Sequence, residues 1–355
     1  MKTTRALATL GQSLWLDNIT RPLLDSGTLA RYIDELDVTG LTSNPTIYDR
    51  AIGGSDSYDA EIAAAARAGR TGEDTFFEVA LSDLRRAADL FRPVHERTGG
   101  VDGFVSLEVS PLLAYHTAAT VEQAKRLHAQ GGRPNLFIKI PGTPEGLPAI
   151  EEAIFAGVPV NVTLLFSPAQ VLACAEAYTR GIERRVDAGL PAHVGSVASL
   201  FISRWDPATA KQLPADMQNQ LGLAIGRQSY VAYREFFAAG RWERLLAAGA
   251  RPQRLLFAST GTKDPSLPPT LYITGLAAPD TVNTMPEETL LATAASEEAV
   301  TALPVVATGL LAPFAAAGVD IDGVGAGLQR KGAESFVGSW TSLLDRIAAK
   351  VTAVA

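Results

Sequence analysis

The sequence predicts an α/β protein built as a single (β/α)8 TIM barrel with extra helices. Three observations predict it. Short apolar and β-branched runs alternate with helical spacings along the whole chain. Nearly every such run ends in a polar residue of catalytic type, the arrangement found around the mouth of such a barrel. A G-x-G-x-x-G turn, the mark of many doubly wound sheets, is missing, because Gly323-Val-Gly325-Ala-Gly327 has the wrong spacing and follows no strand.

The elements follow in order. Residues 13–19 form an apolar run that reaches a carboxylate at Asp17 and read as the first strand. Residues 23–36 have helical spacing, with Asp25 or Ser26 available as a cap. Residues 38–45 are a second strand stopped by Asn44-Pro45. The stretch 56–97, rich in Ala and Leu with charges on a repeating face, predicts a long helical region. Residues 104–110 are a third strand closed by Pro111, and the helix 120–129 leads through Gly131-Gly132 to a fourth, Asn135-Leu-Phe-Ile-Lys139-Ile-Pro-Gly-Thr143. Residues 144–156 predict a helix and 159–167 a fifth strand, with Pro168 in the first turn of the next helix. The runs 195–204, 254–260 and 280–286 complete eight strands, and 336–352 predict a final amphipathic helix. No linker, low-complexity tract or internal repeat divides residues 1–355. They read as one domain, with elaborations at about 50–100, 205–250 and 287–335.

Composition bounds the partners. A chain with 47% hydrophobic and 19% charged residues can bury a full core. A net charge of −7 argues against nucleic acid or an anionic membrane as the main partner. The single cysteine, Cys174, excludes an internal disulfide and a thiolate metal cluster. The four histidines are scattered, with no pair at helical ligand spacing. The first ten residues lack the apolar core of a signal peptide, and no apolar run is long enough to cross a bilayer. The expectation is a cytoplasmic protein with no metal and no cofactor.

Lys139 is the residue that asks for an explanation. Four apolar neighbours surround it on a strand, and lysine is rarely buried because desolvating its charge costs several kcal/mol. A Schiff-base nucleophile is the functional reading, since apolar surroundings favour the neutral amine that attacks a carbonyl. Snorkelling to water or pairing with a carboxylate is the structural one. Asp17, Thr42, Asn44, Glu108, Lys139, Asn161, Thr163, Ser199, Arg204 and Ser259 all stand at or near strand ends, and in a barrel they converge on one pocket. Glu108 and Lys139 fall on adjacent strands about 4.8 Å apart, near enough to share one water or to form an ion pair. Asp17 can instead cap the turn before Thr20, and Thr42 and Asn44 can be turn formers.

These residues carry a family resemblance. Gly40-Leu-Thr42-Ser43-Asn44-Pro45-Thr46-Ile47, Leu136-Phe-Ile-Lys139-Ile-Pro and Val160-Asn161-Val-Thr163-Leu-Leu-Phe-Ser167 resemble three consecutive signatures of the transaldolase family. The matches keep family order from Asp17 to the eighth strand. The resemblance implies a class I aldolase-type barrel of the pentose phosphate pathway, with sugar phosphates as its partners. Its lysine forms an imine with a ketose phosphate and passes a dihydroxyacetone unit to an aldose phosphate. Carried over, Lys139 is the imine lysine, and Asp17 takes the proton from the sugar hydroxyl. Glu108 shuttles protons through a water held by Thr163. Asn44, Asn161 and Ser199 hold the hydroxyls of the three-carbon unit, with Thr42 supporting Asp17. Phe201 lines the pocket, while Arg204 and Ser259 bind the phosphate. One departure is visible: Gly261 stands where many members carry a phosphate-binding arginine, and Lys263, with the amides of Thr260 to Thr262, is expected to replace it. A fructose 6-phosphate aldolase and a non-catalytic sugar-phosphate-binding barrel are the other readings, and members of the family occur as monomers and homodimers.

Overall fold

The computed structural model describes residues 1–306 and 309–354. Eight parallel strands close into a barrel in sequence order. They are β1 (Ser13–Asp17), β2 (Val38–Thr42), β3 (Val105–Glu108), β4 (Leu136–Pro141), β5 (Val160–Leu165), β6 (Ser196–Phe201), β7 (Arg254–Ala258) and β8 (Val282–Met285). Each lies within a run expected from the sequence and is shorter than that run at one or both ends. β3 to β6 are buried at every position, so even their polar residues, Ser106, Glu108, Lys139, Asn161 and Thr163, are enclosed by protein. Asp17 stands opposite Thr42, Glu108 opposite Lys139, and Lys139 opposite Asn161. Residues opposite one another in a parallel pair share a face, so the register alone gathers these side chains inside the barrel.

The lower half of the barrel is aromatic. Phe104 and Phe137 stack with centroids 3.9 Å apart, and Trp15 lies 6.1 Å from Phe137. Room for the indole comes from Gly40 on β2, where a Cβ would sit 2.6 Å from the Trp15 ring and 2.7 Å from the Phe104 carbonyl oxygen. At this N-terminal end a cavity of about 640 Å³ opens among Phe104, Phe137, Tyr178, Tyr233 and Arg251, and none of the strand-end polar residues lines it.

A helix the sequence reading left out, Thr3–Leu10, precedes β1, and the helices depart from that reading in three further places. The helix expected over 23–36 is two, Arg21–Asp25 and Thr28–Glu35, broken at Gly27, whose φ of 71° is left-handed. Thr20 caps the first, accepting from Leu23 N–H at 3.1 Å; Ser26 Oγ accepts from Thr28 N–H at 3.4 Å, and Asp25 pairs with Arg86. The region expected over 56–97 holds Asp59–Arg67 and Gly72–Arg97, preceded by a helix the sequence reading left out, Pro45–Gly53. That helix starts early because the Asn44 side chain caps it, with Ile47 N–H donating at 3.1 Å, and Pro45 supplies the first turn.

The third departure is the C-terminal helix, Ile321–Val354, which begins well before residue 336 and takes Gly323, Gly325 and Gly327 into its first turns. It crosses the C-terminal end of the barrel. Gly325 lies beside Ser167 and Trp205, and Gly332 lies against Leu164 and Arg204. Ser339 bonds Thr46 at 2.7 Å, and Trp340 packs edge-on against Phe76 at 4.9 Å. The elaboration over 205–250 comprises Trp205–Thr209, a short 3₁₀ turn, Leu221–Ala238 and Arg241–Ala247. Within the stretch 287–335, residues 307 and 308 lie outside the described residues.

Candidate active site

Lys139 ends up where its strand sends it, inside the barrel near the C-terminal end and 4% exposed. Its ammonium nitrogen donates to the Ser43 carbonyl oxygen at 2.8 Å and to Glu108 Oε2 at 3.2 Å. The two charged groups are therefore in direct contact, the ion pair that the sequence left open beside the water-spaced arrangement. Burial raises the Glu108 carboxyl above the usual range, against the opposing pull of Lys139, and the nearby Asp17 charge adds to the rise. Glu108 Oε1 and Thr163 Oγ1 are both buried and have no hydrogen-bond partner among the described protein groups. Buried polar atoms rarely stay unpaired, so these two mark where a polar small molecule is expected to bind.

A second group sits on β1, β2 and β8. Thr42 Oγ1 donates to Asp17 Oδ1 at 2.8 Å and lies 2.8 Å from Thr284 Oγ1. Asp17 keeps some exposure at the barrel mouth, yet protein encloses most of it. Burial raises its carboxyl, and Lys139, the Thr42 hydrogen bond and Lys263 oppose that rise. On the other side of Lys139, Ser199 Oγ donates to Asn161 Oδ1 at 2.6 Å, and Asn161 Nδ2 donates to Ser106 Oγ at 3.1 Å. The side-chain oxygen of Asn44 caps the following helix.

The strand ends at β5 and β7 carry strain. Leu164 and Ser259 have φ of 60° and 54°, a left-handed conformation that costs a non-glycine residue about 1–3 kcal/mol. At Leu164 the register of β5 against β6 shifts, which re-aims the neighbouring Thr163. Gln329 of the C-terminal helix holds this turn, donating from Nε2 to the carbonyl oxygens of Gly142 and Leu164 at 2.9 Å each.

Toward the rim the cations gather. The Arg204 guanidinium lies 5.2 Å from the centre of the buried Phe201 ring, and burial alone pulls it below the usual arginine range. Ser259 Oγ and Ser203 Oγ are 3.0 Å apart. Lys263 is exposed, but the surrounding protein and the Arg204 charge still draw its ammonium below the usual lysine range, against the pull of Glu288 and Asp17. Neither cation forms a salt bridge among the described residues, so both are free for an anion from outside.

Direct contacts join several of the expected residues: Lys139 with Glu108, Asp17 with Thr42, Asn161 with Ser199, and Arg204 with Phe201. The charges of Lys139 and Lys263 both act on Asp17, while Ser259 bonds Ser203 and Asn44 caps a helix. Sequence reasoning missed Ser43, Ser106, Thr284 and Gln329. Ser43 acts through its main chain, which no side-chain pattern reveals. Thr284 stands on the eighth strand much as Thr42 stands on the second, and that parallel was available as a signal.

The comparisons with known proteins agree with this geometry. A family model described as transaldolase/fructose-6-phosphate aldolase matches residues 14–347. The chain is similar to a transaldolase of Thermobifida fusca, 44% identical over 98% of each chain. It is also similar to a transaldolase of an Arthrobacter species, 44% identical over 96% of this chain and 95% of the relative. A protein named transaldolase 2 of Streptomyces coelicolor is 41% identical over 99% of this chain and 98% of its own length. A closed eight-stranded barrel, a buried lysine on β4 and similarity over nearly the whole length lead to one conclusion: the chain belongs to the transaldolase/fructose-6-phosphate aldolase family.

Proposed function

We propose that Lys139 is the imine-forming nucleophile of this barrel, that Asp17 and Glu108 move its protons, and that Thr163 assists Glu108. The activity follows from the family: the chain is a transaldolase-type transferase. In this reading the neutral Lys139 amine attacks the carbonyl carbon of a ketose phosphate, sedoheptulose 7-phosphate or fructose 6-phosphate. Loss of water from the resulting carbinolamine needs an acid. Glu108 suits that role because its raised carboxyl holds a proton more readily than an ordinary glutamate and touches the lysine. A water between Glu108 Oε1 and Thr163 Oγ1 would pair both buried atoms and relay the proton.

Carbon–carbon cleavage then requires a base at the sugar hydroxyl, which is Asp17, kept oriented by Thr42. The protonated imine is the electron sink, so the reading includes no metal and no cofactor. Transfer, as opposed to release, requires the three-carbon unit to stay bound while the first product leaves. Asn44, Asn161 and Ser199 offer the amide and hydroxyl groups for that, and an aldose phosphate such as glyceraldehyde 3-phosphate or erythrose 4-phosphate then accepts the unit. Arg204, Ser259 and Lys263 take the phosphate, with Phe201 packed beneath the arginine. The same reading makes the chain one domain, a monomer or homodimer, acting in the cytoplasm on small sugar phosphates and not on nucleic acid or membrane. No described helix is long and apolar enough to cross a membrane.

The observation that carries the proposal is a lysine 4% exposed on an apolar strand with a carboxylate and a carbonyl as its partners. The test is covalent trapping. The protein is incubated with fructose 6-phosphate, reduced with borohydride and mapped by mass spectrometry. A dihydroxyacetone-sized adduct on Lys139, absent in Lys139→Ala, is expected, and no adduct on folded protein refutes the reading. Measuring free dihydroxyacetone without an acceptor then separates transfer from a fructose 6-phosphate aldolase activity.

A further inference from the structure

Thr284 lies on β8 opposite Trp15 of β1, and it is 3% exposed. Its hydroxyl is 2.8 Å from that of Thr42, and counting hydrogens fixes which group donates. Thr42 owns one hydroxyl hydrogen and gives it to Asp17 Oδ1 at 2.8 Å. Toward Thr284 it can therefore only accept. The donations run in one direction, from Thr284 to Thr42 to Asp17. The main chain at this position is tied down as well, because Thr260 Oγ1 donates to the Thr284 carbonyl oxygen at 2.8 Å.

We propose that Thr284 is a positioning residue for the reaction: its hydroxyl fixes the rotor of Thr42, which in turn holds the Asp17 carboxylate facing the substrate hydroxyl. The proposal rests on the reading of Asp17 as the base. A hydroxyl that both accepts and donates is polarised along the chain, so the Thr42 bond to a carboxylate is stronger with Thr284 present than without it. Chains of this kind also restrict rotation. A lone threonine hydroxyl can swing to any acceptor, whereas one that receives a hydrogen bond from β8 keeps its own hydrogen directed at Asp17. Valine at 284 retains the shape of the side chain and removes only the donor.

The test compares Thr284→Val with Thr284→Ser in the full-length protein, with thermal melting of each. The Val variant is expected to lose about fivefold in kcat, the size of one net hydrogen bond. The acid limb of its kcat/KM profile should move to higher pH, because Asp17 loses support for its ionised form. KM for the aldose phosphate should stay the same, and the Lys139 adduct should still form, since Asp17 itself is intact and a fivefold loss slows cleavage without stopping it. The Ser variant should restore both kcat and the acid limb. If Thr284→Val does not fold, Thr284→Ala replaces it with the same expectations. An unchanged kcat and acid limb in the Val or Ala variant, or a Ser variant that behaves like Val, overturns the role of Thr284 alone. Absence of the adduct in the unaltered protein overturns the imine reading, and the role of Thr284 with it.

Discussion

Replacing Gln329 with methionine isolates the grip of the C-terminal helix on the barrel. Methionine has nearly the same length and lacks the amide, so the packing of a side chain that is 7% exposed is kept while two hydrogen bonds of 2.9 Å are lost. Each such bond contributes about 1 kcal/mol net, and each buried carbonyl left without a donor costs about 1–3 kcal/mol. The Gly142 and Leu164 carbonyls regain some of this by small shifts or water, so the expected loss is about 2–4 kcal/mol. That is a large share of a domain stability of about 5–15 kcal/mol. The loss should not be uniform. The strained Leu164 turn is the part released, and Thr163 is its neighbour, so kcat should fall by more than KM changes. Urea unfolding of Gln329→Met against the parent, with steady-state kinetics on the same samples, measures both. A stability loss under about 0.5 kcal/mol would refute the reasoning, because it would mean that the two carbonyls find equal partners without the helix.

Three further outcomes follow from the same geometry. Asp17→Asn should abolish transfer yet raise the melting temperature at pH 7. The folded state raises the Asp17 carboxyl, so ionising it there opposes folding above the ordinary aspartate value of about 3.9, and the gain should vanish as pH falls below that value. A melting series from pH 7 to pH 3.5 that shows no such convergence contradicts it. Gly40→Ala should destabilise the barrel by about 1–3 kcal/mol, since its Cβ would lie 2.6 Å from the Trp15 ring, and chemical denaturation reads the loss. Lys263→Ala should raise KM for phosphorylated acceptors while leaving the Lys139 adduct intact; equal KM values would show that Arg204 and Ser259 hold the phosphate alone.

Much of the fold was legible because strands buried on both faces announce themselves as short, mainly apolar and β-branched runs closed by breakers. The strand at residues 136–141 is the clearest case, with proline and glycine closing it. The helices were less legible where a single residue changes the chain's direction. Gly27 breaks one expected helix by adopting a left-handed φ, and nothing in its neighbours' spacing signals that. Asn44 before Pro45 looks like a stop and a ligand, yet its side-chain oxygen starts a helix. Asparagine before proline serves either purpose, and only the backbone decides. The site was legible to the extent that it uses side chains at strand ends. It was hidden where the contact runs through a main chain, as with the Ser43 carbonyl on Lys139, or arrives from far along the chain, as with Gln329.

The helix that carries Gln329 is synthesised after every strand. Residues 321–354 therefore leave the ribosome only after all eight strands, Lys139 and Glu108 among them, have emerged. The Leu164 turn acquires its clamp only when that helix docks across the barrel. The aim of Thr163 thus depends on a residue more than 160 positions further along the chain, and docking of that helix and alignment of the site are one event.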